Sequence, residues 1–277
     1  MTTGKIPARR WLPGLKVEEG FTRHPFDEEF GVRTSGLIAG RHLQSGHRHD
    51  RHATAYYGVA PSVFQALVRR WRRSRPDCAI EEVTFLDVGA GMGRAVLLGA
   101  QFPFRQVVGV ELNPALARIA RKNLSVWRKA ERARAPMKIV CRDAVEFPLP
   151  AGPCVALLFN PFGAPVMRRL LTAWNRSLSR SLSQSLSQSL SQSLSQSLSM
   201  TLPEAPAGRA CRLDLLYVNN EQEQVLERQP GFKRLFLGQV RRSKADALAD
   251  HRIMANQPDG EYASSNWEDC SIWRWEG

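Results

Sequence analysis

Short apolar runs alternate with longer amphipathic stretches along most of this chain. Thr84–Val88, Gln106–Glu111, Met137–Cys141 and Cys154–Phe159 are short and mostly apolar, as buried strands are. Between and after them, 92–101, 114–130 and 164–175 carry apolar residues at helical spacing, and 212–218 reads as a fifth strand. Upstream, Val63, Leu67, Val68 and Trp71 recur near 3.6 spacing and predict a helix from Pro61 to about Arg73. Asn113-Pro114 opens one helix with an N-cap and a first-turn proline. This alternation predicts an α/β fold, a doubly wound and mostly parallel sheet with helices on both faces. Two further strand-like segments, 232–240 and 270–275, close the chain without a strong helix between them.

The pattern weakens in two places. Residues 1–55 are rich in Gly, Arg and His without sustained periodicity, so they read as an N-terminal arm or cap on a main domain at 56–277. Within the arm, Phe26-Asp27-Glu28-Glu29-Phe30-Gly31 is placed to dock through its two phenylalanines. Residues 177–199 repeat Ser-Leu-Ser-Gln, with one variant at Arg180. A leucine every fourth residue drifts around a helix by about 40° per repeat, and serine at alternate positions weakens a helix. The repeat is expected to be a low-complexity insertion in a surface loop, disordered or partly helical.

The chemistry gathers at strand ends. Asp87-Val88-Gly89-Ala90-Gly91-Met92-Gly93 follows the first strand, and Glu111 ends the second, eighteen residues after Gly93. Strand, glycine turn, helix start, strand and acid together read as a nucleotide-cofactor site. A dinucleotide fingerprint has G-x-G-x-x-G, whereas this turn has G-x-G-x-G with Asp87 two residues before it. A carboxylate there repels a pyrophosphate and suits an ammonium. S-adenosylmethionine has an ammonium, no phosphate, and ribose hydroxyls that suit Glu111.

On these residues the segment resembles motifs I and II of class I S-adenosylmethionine-dependent methyltransferases, a resemblance covering about residues 56–218. It implies a seven-stranded sheet with a C-terminal antiparallel strand pair, and S-adenosylmethionine as cofactor. The cradle would be Gly89, Ala90, Gly91 and Gly93. Asp87 would hold the ammonium, Glu111 and the adjoining Leu112 the ribose, and Asp143 with Ala144 the adenine. Phe159-Asn160-Pro161-Phe162-Gly163 takes the motif IV position, where Asn160 and the Pro161 carbonyl would orient an amine, Phe162 would wall its channel, and Asn160 would also touch the cofactor. Base-methylating enzymes carry two prolines there, and this chain carries one. The short Asn-x-Phe and the upstream Tyr57-Gly58-x-x-Pro61-Ser62 are similar to nucleosome-core-type histone-lysine and related protein-lysine methyltransferases. In those enzymes the upstream segment, represented here by Tyr57 and Ser62, folds over the methionine end. The resemblance implies methyl transfer to nitrogen, with a protein lysine as the favoured acceptor. An RNA or DNA base or a small molecule is the alternative, and a non-catalytic cofactor-binding or nucleic-acid-binding module is a third reading.

Charge keeps the nucleic-acid alternative open. The formal charge is +13, concentrated in Arg69-Arg70-Trp71-Arg72-Arg73-Ser74-Arg75 and again from Arg118 to Lys138. These blocks are either a polyanion surface or solvated helix faces, and the first requires the Arg69–Arg75 helix to lie beside the pocket mouth. His47-x-His49-x-x-His52 reads as a solvated basic loop, and no metal is expected. Five scattered cysteines without a C-x-x-C pair suggest neither disulfides nor a thiolate metal site. No apolar run reaches the roughly 18 residues of a membrane span and no secretory core opens the chain, so a cytoplasmic protein without a membrane partner is expected.

Overall fold

The computed structural model describes residues 23–74, 79–196, 212–255 and 265–277. Ahead of the main sheet lie helix α1 (Pro25–Phe30) and a small antiparallel sheet that joins β1 (Leu37–Ile38) of the N-terminal stretch to β2 (Tyr56–Tyr57). The main sheet comprises β3 (Thr84–Val88), β4 (Gln106–Glu111), β5 (Met137–Cys141), β6 (Cys154–Phe159), β7 (Leu213–Val218), β8 (Phe232–Arg241) and β9 (Trp267–Trp275). Its order is β5-β4-β3-β6-β7-β9-β8. The first five strands are parallel, and β9 slots antiparallel between β7 and β8. The doubly wound α/β sheet and its antiparallel closing pair are as the sequence indicates.

Alternation along each strand divides the core. Phe85, Val107, Val155, Leu157 and Leu216 face the helices α2 (Pro61–Arg73), α3 (Arg94–Gly99) and α4 (Pro114–Lys129). Leu86, Val108, Ala156 and Leu158 face α5 (Ala164–Gln196) and α6 (Glu223–Glu227). On α2, Val63, Phe64, Leu67, Val68 and Trp71 are buried on one stripe, each contributing roughly 1.5–3 kcal/mol of apolar transfer. The Trp71 indole N–H donates to Asp214 at 2.8 Å, near the amino end of β7, and Arg274 Nε donates to the same carboxylate at 3.0 Å. The remaining helix, α7 (Lys244–Ala255), receives α2 through its Asp246.

The arm docks as its phenylalanines suggest, with Phe26 and Phe30 ring centroids 5.8 and 5.0 Å from that of Trp127. Asp27, fully enclosed, accepts from the backbone N–H groups of Thr34 and Ser35 at 2.6 and 2.7 Å. Buried Arg94, directly after the glycine turn, donates to Thr34 Oγ1 at 2.7 Å and to the Gly58 carbonyl at 3.0 Å. That guanidinium fastens the arm to the turn.

The repeat departs from expectation. Helix α5 continues through it to Gln196 instead of ending near residue 175. Leu178 is buried and Leu182 half-buried against the α5 core, so the first two repeats extend the apolar stripe before drift carries it away. The serines are satisfied within the helix, Ser183 and Ser187 each donating to the carbonyl four residues back at 2.9 Å.

Candidate active site

The strand order reverses between β3 and β6, and such a switch point opens a crevice at the carboxyl ends of the strands. A cavity lies there, lined from β3 by Asp87, Gly89, Ala90 and Gly91, from β4 by Glu111 and Leu112, from β5 by Asp143 and Ala144, and from β6 by Pro161 and Phe162. Gly89 and Gly91 have φ of 75° and 54°, the left-handed region that favours glycine. The reason is crowding within the protein. A Cβ on Gly91 would stand 2.2 Å from the Tyr56 ring, and one on Gly89 2.6 Å from Pro161. Gly93 caps α3 with φ 88° and packs on Ala120; it does not line the cavity.

Of the three buried carboxylates lining this space, Glu111 and Asp87 differ most in their partners. Glu111 accepts from the Gly91 N–H at 2.6 Å and from the Asn113 N–H at 2.8 Å, tying the glycine turn to the start of α4. Each oxygen keeps a second lone pair for a hydroxyl. Asp87 receives no hydrogen bond from the described residues, and burial, with the Glu111 charge second, pushes its pKa up to about 8. The residues fit S-adenosylmethionine on this ground. A 4 % exposed carboxylate without a protein donor suits an ammonium that brings its own N–H groups.

At the adenine end, Asp143 is more engaged than expected. It accepts from the Val145 N–H at 3.0 Å and lies 3.0 Å from His49 Nδ1. His49 Nε2 stands 3.0 Å from Arg169, a group that only donates, while His49 Nδ1 and Asp143 Oδ2 make no hydrogen bond despite their closeness. The reading of 47–52 as a solvated loop therefore fails for His49, which is buried. His47, His49 and Asp143 bring ligand atoms within 4.8 Å of one another, and His49 Nδ1 and Asp143 Oδ2 are without hydrogen-bond partners.

Asn160 follows β6 with φ 38°, and its carbonyl accepts from the Thr54 hydroxyl. Its Oδ1 is buried without a hydrogen-bond partner. Asn160 does not line the first cavity, contrary to its expected cofactor contact. It faces a second cavity of about 620 Å³, which shares Ala53, Thr54, Ala55, Tyr57 and Phe159 with the first. The strap 53–57 thus divides the two spaces. It is held from below, because the Gly163 N–H donates to the His52 carbonyl at 2.9 Å and Ala53 bridges Phe162.

Tyr57 does line the cofactor cavity, and its hydroxyl donates to buried Asp250 on α7. Asp250 lies 3.3 Å from Arg242, which also pairs with Glu268. Ser62 does not reach the cavity. Its N–H donates to Asp246 at 2.8 Å and its hydroxyl accepts from the Ser243 N–H, which joins α2 to α7. Arg94 and the Tyr57–Asp250–Arg242–Glu268 chain escaped sequence reasoning. Arg94 sits next to the glycine motif, a signal within reach, whereas residues 57, 242, 250 and 268 share no local pattern.

No family model matches the chain. A stretch of 120 residues, 42% of the chain, is 36% identical to the type II methyltransferase M.XamI of Xanthomonas campestris pv. amaranthicola, of which it spans only 20%. Among solved structures, the precorrin-6y C5,15-methyltransferase of Geobacter metallireducens GS-15 is similar at 15% identity and TM-score 0.43, over 82% of this chain and 94% of that one. The magnesium protoporphyrin IX methyltransferase of Synechocystis PCC 6803, with bound S-adenosylmethionine, gives 11% and 0.41 over 77% of each chain. Structural likenesses at these levels carry no weight for activity.

Proposed function

We propose that this chain is an S-adenosylmethionine-dependent methyltransferase acting on a nitrogen acceptor. The observation that carries the reading is Asp87, buried at a left-handed glycine turn, raised to about 8 and without a protein donor. Glu111 supports it from the adjoining strand, and the 36% likeness to a type II methyltransferase agrees. When bound, the cofactor supplies an electrophilic methyl group. Glu111 would then accept from the ribose, Asp87 would hold the ammonium, and Asp143, held by the Val145 N–H, would face the adenine.

An amine attacks only when neutral, and a free lysine has a pKa near about 10.4. Asn160 Oδ1 is a neutral acceptor that takes one N–H and so aims the nitrogen lone pair. The relatives lend no support to a protein lysine in particular. A nucleic-acid base or small molecule is the second reading, and the stretch shared with the type II methyltransferase favours it. The first basic block does not, because α2 carries Arg69–Arg73 away from the mouth. It starts beside the strap and reaches Asp214 at the amino end of β7, about 20 Å of helix away.

The test is Asn160→Ala assayed with labelled cofactor against protein, RNA and small-molecule fractions. Turnover should fall about 10²-fold or more while S-adenosylhomocysteine affinity stays within about twofold. Equal loss of both in a folded variant would reduce Asn160 to a strand terminator.

A further inference from the structure

The second cavity has a charge unlike that of the chain around it. We infer that it is the acceptor site and that it takes a protonated alkyl amine, selected by Glu221 and Asp269 at its outer rim. This rests on the proposed methyltransferase reading. Among the described residues lining it, three carboxylates, Glu221, Glu268 and Asp269, face two guanidiniums, Arg41 and Arg242. Arg242 is already neutralised by Asp250 and Glu268. The rim is therefore acidic on a chain of formal charge +13. A polyanion meets repulsion there, and a cation is drawn in over roughly a Debye length of 8–10 Å.

The second observation is Asn160, 6 % exposed, which lines this cavity and whose Oδ1 is buried without a hydrogen-bond partner. A buried acceptor left without a donor is costly, and an amine N–H supplies the donor. Cation capture outside and a neutral oxygen inside suit an amine that arrives charged, gives its proton to water at the rim, and reacts uncharged: a new N–C bond forms to the sulfonium methyl, the C–S bond breaks with its electron pair left on sulfur as S-adenosylhomocysteine, and the proton then carried by the methylated nitrogen leaves to solvent. Glu221, Asp269 and Asn219 also line a smaller cavity of about 330 Å³ that continues to exposed Leu237. The groove thus extends beyond the length of one side chain, so the amine is carried either on a peptide or on a longer free molecule.

The full chain is assayed with labelled S-adenosylmethionine against three acceptors: spermidine, a lysine–glycine decapeptide and a 20-nucleotide RNA. Transfer to spermidine or to the peptide is expected, and which of them is labelled identifies the source of the amine. In the double variant Glu221→Gln with Asp269→Asn, KM for that amine should rise about tenfold while kcat and S-adenosylhomocysteine affinity stay within about twofold. Unchanged affinity also certifies the fold. Transfer to RNA alone, or an unchanged KM in the variant, overturns the inference. If wild-type protein fails to bind S-adenosylhomocysteine, the proposed function falls and this inference with it. Binding without transfer to either amine overturns the inference alone.

Discussion

Asp214 and Asp87 are both buried carboxylates on parallel strands of one sheet, with β6 between them, and their surroundings are opposite. Asp214, near the amino end of β7, receives Trp71 and Arg274. Asp87, near the carboxyl end of β3, receives nothing from the described residues and is raised to about 8. A buried acid that is fully paired locks elements together, here α2, β7 and β9. One left unpaired lowers stability when ionised and gains it back from a ligand. The two ends of the strands are thus divided between fastening the fold and, in the proposed function, holding a cofactor.

Breaking the fastened end should have the larger effect. Asp214→Ala strands a guanidinium and an indole N–H and should lower unfolding free energy by about 3–5 kcal/mol in urea denaturation. A loss under 1 kcal/mol would show that Arg274 simply turns to solvent. At the other end, Asp87→Asn should weaken S-adenosylhomocysteine binding by about 2–3 kcal/mol, read by calorimetry, with a melting temperature no lower than wild type. A drop in melting temperature would place Asp87 among the fastening residues.

The pH dependence sharpens the contrast. The folded pKa of Asp87 is raised above its unfolded value near 3.8, so the folded state holds the extra proton between about pH 4 and 8. Its contribution to ligand-free stability is therefore present at low pH and lost as pH rises toward 8. Ligand affinity should run the other way, increasing by up to about tenfold per pH unit from 6 and levelling near 8, because binding expels that proton. A flat affinity profile in buffered calorimetry, without proton release, would remove the ammonium assignment.

The smallest effect is expected in α5. Deleting 185–196, three whole repeats, should change stability by less than about 1 kcal/mol, since the described packing of the repeat stops at Leu182. Leu178→Ala is the control that should cost about 2–4 kcal/mol. Equal costs for the two would mean that the outer repeats also pack.

Local pattern was enough for the elements that alternate strictly. Strands 84–88, 106–111, 137–141 and 154–159 are where their apolar runs lie, because a strand buried on both faces writes itself as a short apolar block. The glycine turn, Asp87 and Glu111 were equally legible, since the chain itself sets their spacing. The repeat was misjudged because Leu178 is held by residues of the core and not by helix propensity.

The sequence by itself determined the doubly wound sheet, the cradle and the acid at each of the first three strand ends, all of which follow from periodicities of two and 3.6 and from short-range spacing. Only the tertiary structure decided what surrounds them. It set Asp143 beside His49, moved Ser62 onto α7, placed Asn160 in a second cavity and sent the basic end of α2 to the amino end of β7. Those outcomes depend on which distant segments meet, such as residue 57 with 250 or 160 with 54, and the folding of the whole chain fixes such meetings where no local pattern does.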